Sequence, residues 1–321
     1  MKPYKTDVAV LLLFFTRTRE TKLVFEAIKE ARPSKLFLYQ DGPREGRNDI
    51  DGIMECRKIV EDIDWECEVY KNYLKKNQGC DPSGFMARKW MFSIVDKGIV
   101  LEDDCVPSQS FFPYCKELLD RYENDPRIEM ICGMNTLGTY DCGDQDYFFS
   151  TSGSIWGCAY WKRVIDEWDG NYTFLNDSYA CSLIEDQLGK EYGKNYLDLC
   201  RKRALEKKEY FESIQGSDWL LNSRLNIIPK RNMISNVGLT PDAVHTVGVN
   251  LLHLPRKIRT LYYAKTYDVV FPLRHPKYLA NDRKYVKQLN DVMKGTKLER
   301  VFHLRSIEAL CNRLFPFFAK L

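Results

Sequence analysis

The sequence lacks any hydrophobic run long enough to cross a membrane. A membrane-spanning helix needs about 20 consecutive apolar residues, whereas the apolar run near the start, from Val8 to Phe15, has eight. No small-residue cleavage site follows this run, as one would in a signal peptide. We therefore expect a buried first strand here, and neither a signal peptide nor a transmembrane helix.

The chain also lacks an excess of charge of one sign. Its 48 lysines and arginines face 45 aspartates and glutamates, which leaves a formal charge of +3. Domains that bind nucleic acid through their overall charge are far more basic, so we predict no nucleic-acid partner. With 321 residues, of which 44% are hydrophobic, the chain is long and apolar enough to bury a large core.

Paired cysteines are absent as well. The eleven cysteines are an odd number, are scattered along the chain and form no CxxC pair. This pattern indicates reduced, mostly buried thiols, and it favours neither a zinc site nor a secreted disulfide framework. We therefore predict a reducing compartment, the cytoplasm.

No glycine-rich phosphate loop follows the first strand. Neither GxGxxG nor GxxxxGK[ST] occurs there, which excludes a standard dinucleotide fingerprint and a P-loop. The first part of the chain instead alternates short apolar runs with segments whose apolar residues have helical spacing. Strands buried on both faces and separated by helices predict an α/β fold, Rossmann-like, with a mostly parallel central sheet flanked by helices.

The later part of the chain departs from this alternation. Residues 176–213 are highly charged, and their spacing predicts a solvated helical insertion with one apolar face. That face is expected to consist of Leu183, Leu188, Tyr192, Tyr196 and Leu199. A short helix after Asp218 and strands near residues 225–229 and 233–237 are predicted next.

Polar residues follow four consecutive predicted strands. They are Thr16, Arg17 and Arg19 after the first strand, Asp41 after the second, the segment KNQGC (residues 76–80, with Gly79) after the third and the acidic triplet Glu102–Asp104 after the fourth. Ligands of open parallel sheets bind at the carboxyl ends of the strands. We therefore predict a binding site at this edge.

The acidic triplet raises the question of what compensates its charge, because like charges in a row cost energy unless they are solvated or bind a cation. Carboxylate oxygens suit Mg²⁺ or Mn²⁺, and such ions take their remaining ligands from substrate phosphates. A nucleotide diphosphate would supply those phosphates. The alternative is an ordinary turn in which Asp103 or Asp104 caps the following helix.

Five segments, in order, resemble bacterial glycosyltransferases of the GT-A fold, which are distantly similar to the eukaryotic N-acetylglucosaminyltransferase I group. The segments are FFTRTRETKLVFEAIKEARPSKLFLYQDGPR, NQGC, LEDDCVPSQSFF, SIWGCAYWKRV and ISNVGLTPDAVHT. The resemblance covers roughly residues 6–275. It implies metal-dependent transfer, with inversion, of a sugar from a UDP-sugar such as UDP-GlcNAc to a glycan or lipid-linked acceptor, with Mn²⁺ or Mg²⁺ as cofactor, in polysaccharide assembly.

The resemblance also implies roles for the strand-end residues. Asp104 would bind the metal directly, and Glu102 and Asp103 would face the donor sugar or ribose. Asp41 would accept a hydrogen bond from the base, and Arg17 would lie beside the base or the phosphates. An ordinary turn at Asp41 and a surface cation at Arg17 are the alternatives.

Five further residues are implied to bind the donor. They are Gly79, through close backbone approach, Arg88, through phosphate, Trp156 and Gly157, beneath the donor sugar, and His245, over the diphosphate in a loop that Asp242 orders. The alternatives are a plain turn, a solvated helix face, a core tryptophan and a structural histidine.

The general base is implied by an Asp directly before a Trp, which places it at Asp218 in GSDW. The relatives have an acidic or aromatic residue just upstream, where this chain has Gln215, Gly216 and Ser217. The alternative is that Asp218 caps the short helix that follows it. Glu212 and Asp186 are the reserve candidates.

We predict a GT-A domain at residues 1–250, with a nucleotide-binding half at 1–135 and an acceptor-side half at 136–250. Residues 251–321 form a C-terminal extension whose basic amphipathic tail, from Lys294, suits an anionic membrane surface on the cytoplasmic side or docks on the core. Two other functions stay open: a nucleotidyltransferase that makes NDP-sugars, and a non-catalytic glycan- or lipid-binding protein.

Overall fold

A computed structural model describes residues 1–239 and 260–294. Within these residues, eight strands form one large sheet and two strands form a small one, with helices packed against the large sheet. The strands are β1 (Thr6–Phe14), β2 (Pro33–Gln40), β3 (Glu68–Tyr73), β4 (Lys97–Glu102), β5 (Cys105–Pro107), β6 (Ile128–Cys132), β7 (Tyr147–Ser150), β8 (Cys158–Trp161), β9 (Leu225–Pro229) and β10 (Ile234–Asn236).

The helices lie mainly between the strands, as the alternation predicts. They are α1 (Thr18–Ala31), α2 (Ile50–Val60), α3 (Cys80–Phe92), α4 (Phe111–Arg121), α5 (Lys162–Glu167), α6 (Ser178–Leu188), α7 (Lys190–Glu206), α8 (Phe211–Asn222) and α9 (Arg283–Lys294). In α1 the buried residues Val24, Phe25 and Ile28 lie on one face, and Arg32 in the left-handed conformation ends the helix.

The large sheet has the strand order β3-β2-β1-β4-β8-β6-β9-β7. Strands β1 to β4 are parallel to one another, and β6 and β9 run in the same direction because both β4 and β6 pair antiparallel with β8. Only β8 and β7 run the other way among these eight strands. The predicted α/β fold with a mostly parallel central sheet is confirmed.

The apolar run of β1 explains its central position. Val10 and Leu12 are buried in the core on one face of the sheet, and Ala9 and Leu11 are buried in the core on the other. A strand without a solvent-facing side has no need for polar alternation. The same reasoning did not find β8, which is four residues long, or the short strands β5 and β7.

Helices α6 and α7 lie within residues 176–213, but most of the predicted apolar face is wrong, since Tyr196 is the one of its five residues that packs against the core of the described structure. The buried residues of α6 and α7 are Ile184, Gly193, Leu197 and Cys200, whereas Tyr192 and Leu199 expose 68% and 40% of their surface. The predicted face requires one continuous helical spacing, but Gly189, whose φ is 83°, interrupts the helix. Two helices with separate phases follow from that break.

Residues 260–294 pack against the large sheet at strand β7. The ring of Tyr285 lies 5.1 Å from that of Tyr140 and 4.7 Å from that of Phe148, and Tyr140 donates a hydrogen bond to Asp282. The predicted domain boundary at residue 250 stays a prediction. Among the described residues, no helix combines the length and the apolar character that a membrane crossing requires.

Candidate active site

The carboxyl ends of β1, β2, β3 and β4 lie at one edge of the large sheet, because these four strands are parallel neighbours. This edge brings together the predicted residues Arg17, Asp41, Gly79 and the acidic triplet. We call the three carboxylates of Glu102, Asp103 and Asp104, with Arg17 and Arg88, the carboxyl-edge cluster.

Asp103 is bound by Arg17 rather than open to a ligand. The guanidinium group of Arg17 donates to both carboxylate oxygens of Asp103, and the backbone N–H of Phe15 donates to Oδ2 at 3.3 Å. Asp103 is only 5% exposed. Burial raises the pKa of Asp103 to about 6, against the opposite influence of Arg17. Its predicted role toward the donor sugar or ribose stays a prediction.

Asp104 is held from both sides. Its Oδ2 lies 3.0 Å from Nη2 of Arg17, and its Oδ1 accepts a hydrogen bond from Nδ2 of Asn236 at 3.3 Å. The thiol of Cys105 lies 3.3 Å from the same Oδ1. A Cβ atom at Gly238 would overlap Oδ2 of Asp104 and lie 3.0 Å from Arg17. The carboxylate therefore has a fixed position.

Glu102 is the most open carboxylate of the triplet, since its side chain exposes 32% of its surface. Its Oε1 lies 3.7 Å from Nη2 of Arg88. Protein nevertheless surrounds the carboxylate closely enough that burial raises the pKa of Glu102 to about 7, while Arg88 lowers this pKa and Asp104 raises it further. An ion pair at this distance leaves Glu102 free to take another partner.

Arg88 lies behind Glu102 and has no exposed surface, so it is not on a solvated helix face. Its guanidinium group stacks 3.8 Å from the ring centre of Phe211, and Nη1 donates to the carbonyl of Gly84 at 2.9 Å. Nε and Nη2 have no hydrogen-bond partner within residues 1–239 and 260–294. Buried donor nitrogens without a partner are costly, and such groups call for a ligand or another explanation.

The carboxyl-edge cluster contains a donor set that fits a hard divalent cation. Ligand atoms of Glu102, Asp104 and Cys105 lie within 4.8 Å of one another. Burial raises the pKa of the Cys105 thiol well above its usual range, so we assign it a hydrogen bond to Asp104 rather than a place in the ligand set. Two carboxylates match Mg²⁺ or Mn²⁺, which take their other ligands from water and phosphate.

Asp41 connects two loops at this edge. Its carboxylate accepts hydrogen bonds from the backbone N–H groups of Gly42, Gln78 and Gly79, at 2.8, 2.9 and 3.0 Å. Gly79 has a φ of 98°, a conformation that glycine tolerates best. Asp41 therefore holds the loop after β3 against the loop after β2, and its contact with a base stays a prediction.

Trp156 and Gly157 lie in the loop before β8. The half-buried ring of Trp156 lies 5.1 Å from the ring of Tyr262. Gly157 has a φ of 61°, and a Cβ atom there would overlap Ile234. Local packing thus explains the glycine, while a donor sugar above Trp156 stays a prediction.

Asp218 is not brought together with the acidic triplet. It lies in the middle of α8, so the expectation that it caps a helix is wrong, and its carboxylate pairs with Nη1 of Arg224 at 2.7 Å. Arg224 also pairs with Glu129 at 3.2 Å and with Glu167. We call Glu129, Glu167, Asp218 and Arg224 the amino-edge cluster. Burial raises the pKa of Asp218 to about 6, against the influence of Arg224.

The amino-edge cluster lies toward the opposite edge of the sheet. Strands β4 and β6 both pair with β8, and Val100 of β4 and Cys132 of β6 both lie opposite Cys158. Glu129 is therefore level with the residue five positions before Glu102, or roughly 16 Å away along the strand direction. The prediction that Asp218 is the general base is untested. Glu212, at the start of α8, lies nearer the triplet, and its charge adds to the raised pKa of Glu102.

Two predicted features lie outside the described residues. They are the loop with Asp242 and His245, and the basic tail beyond α9. Three site residues were missed from the sequence: Cys105, Asn236 and Gly238. Asn236 and Gly238 stand in the segment ISNVG, which the resemblance included, but contact with Asp104 depends on the pairing of β10 with β5.

No protein-family model and no curated protein matches the chain. Among solved structures, the glycosyltransferase GlyE of Streptococcus pneumoniae superposes with a TM-score of 0.36 at 10% identity, over 88% of this chain and 60% of that one. The chain thus spans 60% of the length of GlyE.

Two other solved structures are similar at the same low level. The inositol-1-phosphate CTP transferase of T. maritima gives a TM-score of 0.31 at 11% identity, over 51% of this chain and 74% of that one. An apo UDP-glucose pyrophosphorylase gives 0.35 at 8% identity, over 71% and 93%. TM-scores this low establish no shared function, so function is proposed below from the residues themselves.

Proposed function

We propose that the chain is a divalent-metal-dependent glycosyltransferase that moves a sugar from a UDP-sugar to a hydroxyl group of a glycan or lipid-linked glycan, with inversion. The observation that carries the proposal is the carboxyl-edge cluster. It combines a donor set for a hard cation, Glu102 and Asp104, with the guanidinium groups of Arg17 and Arg88 at the carboxyl end of the central strand β4. We place the reaction on the cytoplasmic side, in polysaccharide assembly.

Different residues at the carboxyl ends of these strands would bind different parts of the donor. Asp104 and Glu102 would hold the ion, Mn²⁺ or Mg²⁺, which when bound neutralises charge on the leaving diphosphate. Arg17 can donate to phosphate oxygens, which guanidinium groups bind strongly. The loops that Asp41 ties together form the wall beside the end of β1, where the nucleoside would lie.

We assign the general base to Glu212 rather than to Asp218. An attacking hydroxyl needs a carboxylate within hydrogen-bond reach to accept its proton. Glu212 is exposed at the first turn of α8, where its backbone N–H donates to Asp81 at the start of α3. Asp218 is 8% exposed and already ion-paired with Arg224. Exposure and closeness to Glu102 therefore support Glu212.

The experiment that tests the proposal is calorimetric titration with UDP, GDP, CDP and dTDP, each with Mn²⁺ and with EDTA. The wild type is compared with Asp104→Ala and with the matched control Asp198→Ala, an exposed carboxylate on α7. We expect UDP to bind in Mn²⁺ only, to the wild type and to Asp198→Ala. Binding of no nucleotide under any condition would overturn the proposal.

Product analysis separates the transferase from the nucleotidyltransferase. A glycosyltransferase releases the nucleoside diphosphate when the sugar reaches an acceptor. A nucleotidyltransferase instead consumes a nucleoside triphosphate and a sugar phosphate and releases pyrophosphate. Release of pyrophosphate by this chain would replace the proposed reaction, whereas metal-independent glycan binding that Asp104→Ala retains would indicate a binding protein.

A further inference from the structure

Arg17 occupies the position at which a cation would compensate Asp103 and Asp104. Its Nη2 contacts a carboxylate oxygen of each residue, Oδ1 of Asp103 and Oδ2 of Asp104, the latter at 3.0 Å. The Arg17 side chain is 23% exposed, so it is inserted between the loops after β1 and β4. One nitrogen that bridges two carboxylates is placed as a bound ion would be.

A divalent ion at Glu102 and Asp104 competes directly with this arrangement. Asp104 has both oxygens engaged, Oδ2 by Arg17 and Oδ1 by Asn236. Arg17 carries a full positive charge at any pH at which the protein is folded, so an ion ligated by Asp104 would lie within a few ångströms of a like charge. Metal binding is therefore opposed for as long as Arg17 stays on Asp104.

Arg88 supplies a second observation at the same cluster. Arg88 is fully buried, and its Nε and Nη2 have no hydrogen-bond partner among the described residues. Its Nη2 faces Glu102 at 3.7 Å, beyond hydrogen-bond distance. Buried donors without partners are uncommon in folded proteins, and Nη2 lies on the side of Glu102, the carboxylate of the triplet with the most exposed side chain.

We propose that Arg17 is a built-in counter-cation, which a divalent ion and a diphosphate displace together from Asp104, so that metal and nucleotide bind interdependently. The ion repels the guanidinium group from Asp104, and the diphosphate accepts it. Metal binds weakly in the absence of a diphosphate, because the guanidinium group of Arg17 then loses Asp104 and gains no phosphate in its place. The divalent ion and the nucleoside diphosphate are those of the proposed function, on which this inference rests.

The test measures Mn²⁺ binding from the electron paramagnetic resonance signal of free Mn²⁺, with and without UDP. It compares the wild type, Arg17→Met, and the control Arg19→Met, which removes an exposed arginine two residues further on. We expect Arg17→Met to bind Mn²⁺ alone at least about tenfold more tightly than the wild type, and Arg19→Met to match the wild type. UDP should raise the Mn²⁺ affinity far more in the wild type than in Arg17→Met.

A double variant controls for an effect of misfolding on the measured Mn²⁺ affinity. Arg17→Met leaves Asp103 buried without its partner, whereas Arg17→Met with Asp103→Asn removes both members of the pair and spares Asp104. The double variant should show the same gain in Mn²⁺ affinity, since Asp103 is not assigned to the ion. Mn²⁺ affinity equal to or below that of the wild type in the folded double variant would overturn the inference.

Two results separate this inference from the proposed function. If the wild type binds UDP equally well in Mn²⁺ and in EDTA, metal and nucleotide do not displace Arg17 from Asp104 together. The inference is then overturned, although a nucleotide site exists. If the wild type binds no UDP under any condition, the proposed function fails. The comparison of Mn²⁺ binding in the absence of nucleotide then still decides whether Arg17 competes with metal.

Discussion

The two charged clusters at opposite edges of the sheet have the same number of carboxylates and very different surroundings. In the amino-edge cluster, one guanidinium group, that of Arg224, contacts all three carboxylates. In the carboxyl-edge cluster, Arg17 contacts two carboxylates, and the third, Glu102, is 3.7 Å from Arg88, whose Nε and Nη2 have no hydrogen-bond partner in the part of the chain that the structure describes. We call the first cluster closed, because Arg224 contacts each of its carboxylates, and the second open, because Glu102 lies beyond hydrogen-bond distance of its arginine.

The comparison shows what distinguishes a ligand site from a structural ion network. Density of charge does not, since both clusters hold three carboxylates. Raised pKa values do not, because burial raises the pKa of Asp218 and of Glu129 as it does that of Glu102. The pairing of the carboxylates does distinguish them. Arg224 contacts all three carboxylates of the amino-edge cluster, whereas Glu102 lies beyond hydrogen-bond distance of Arg88 and has its ligand atom close to that of Asp104.

Removal of the shared arginine of the closed cluster should have the largest effect. Arg224→Met leaves Glu129 and Asp218 buried without their ion-pair partner, which we expect to cost about 3–5 kcal/mol in the free energy of unfolding at neutral pH. Urea denaturation measures it. The control Arg127→Met, at an exposed ion pair, should cost less than about 1 kcal/mol. Equal costs in the two variants would contradict the description of the cluster as closed.

Matched substitutions in the two clusters should have opposite consequences. Asp104→Asn should lower UDP affinity in Mn²⁺ by roughly 100-fold and leave the melting temperature nearly unchanged, because Arg17 keeps Asp103. Asp218→Asn should lower the melting temperature and leave UDP affinity unchanged. Calorimetry and thermal unfolding on both variants make the comparison. A stable Asp218→Asn that binds UDP but does not turn over would instead restore Asp218 as the base.

Asp41 is an intermediate case, since it lies at the ligand edge but its acceptor oxygens are engaged by three backbone N–H groups. Asp41→Asn replaces an acceptor oxygen by an amide NH2 group, which can only donate, and should cost about 1–3 kcal/mol in the free energy of unfolding. Urea denaturation beside UDP titration tests this. Loss of UDP affinity without loss of stability would show that Asp41 contacts the nucleotide directly.

Taken per unit of pH, the smallest effect is a pH dependence in the closed cluster. Burial and the charge of Asp218 raise the pKa of Glu129 to about 8, although Arg224 and Arg163 lower it. A carboxyl whose pKa is raised by folding stabilises the folded state at low pH and loses that contribution as the pH rises toward its folded pKa. The stability of the wild type relative to Glu129→Gln should therefore fall between about pH 5 and pH 8, by at most about 1.4 kcal/mol per unit.

Denaturation of both proteins at several pH values measures this difference. Glu129→Gln removes the titrating group and keeps the shape of the side chain, so effects common to the rest of the chain cancel. A difference in stability that does not change with pH would mean that Glu129 is ionised throughout, and that Arg224 compensates it fully.

The sequence predicts the elements that have one clear hydrophobic pattern. The doubly buried run of β1 and the helical spacing of α1 suffice for their assignment, and parallel pairing then brings Arg17, Asp41 and the acidic triplet to one edge. The antiparallel strand β8 was not predicted, because four apolar residues after a glycine have no periodicity of their own.

The sequence predicts the site residues that directly follow a strand, but it does not predict the partners that tertiary packing brings to them. The motif GSDW gives no sign that Asp218 lies at the far edge, since its partner Glu129 is 89 positions away by residue number. The partners of the triplet depend on tertiary packing in the same way: Arg88 reaches Glu102 from α3, and Asn236 reaches Asp104 through the pairing of β10 with β5.

The backbone at Gly238 passes directly against the Asp104 carboxylate, with no room for a Cβ atom between them. A single methyl group at residue 238 would therefore occupy space that the Asp104 carboxylate now fills. It would bring no charge and remove no functional group, yet it would push the carboxylate out of the place where Arg17 or an ion can meet it. The chemistry of this edge thus depends on one position at which the chain carries no side chain.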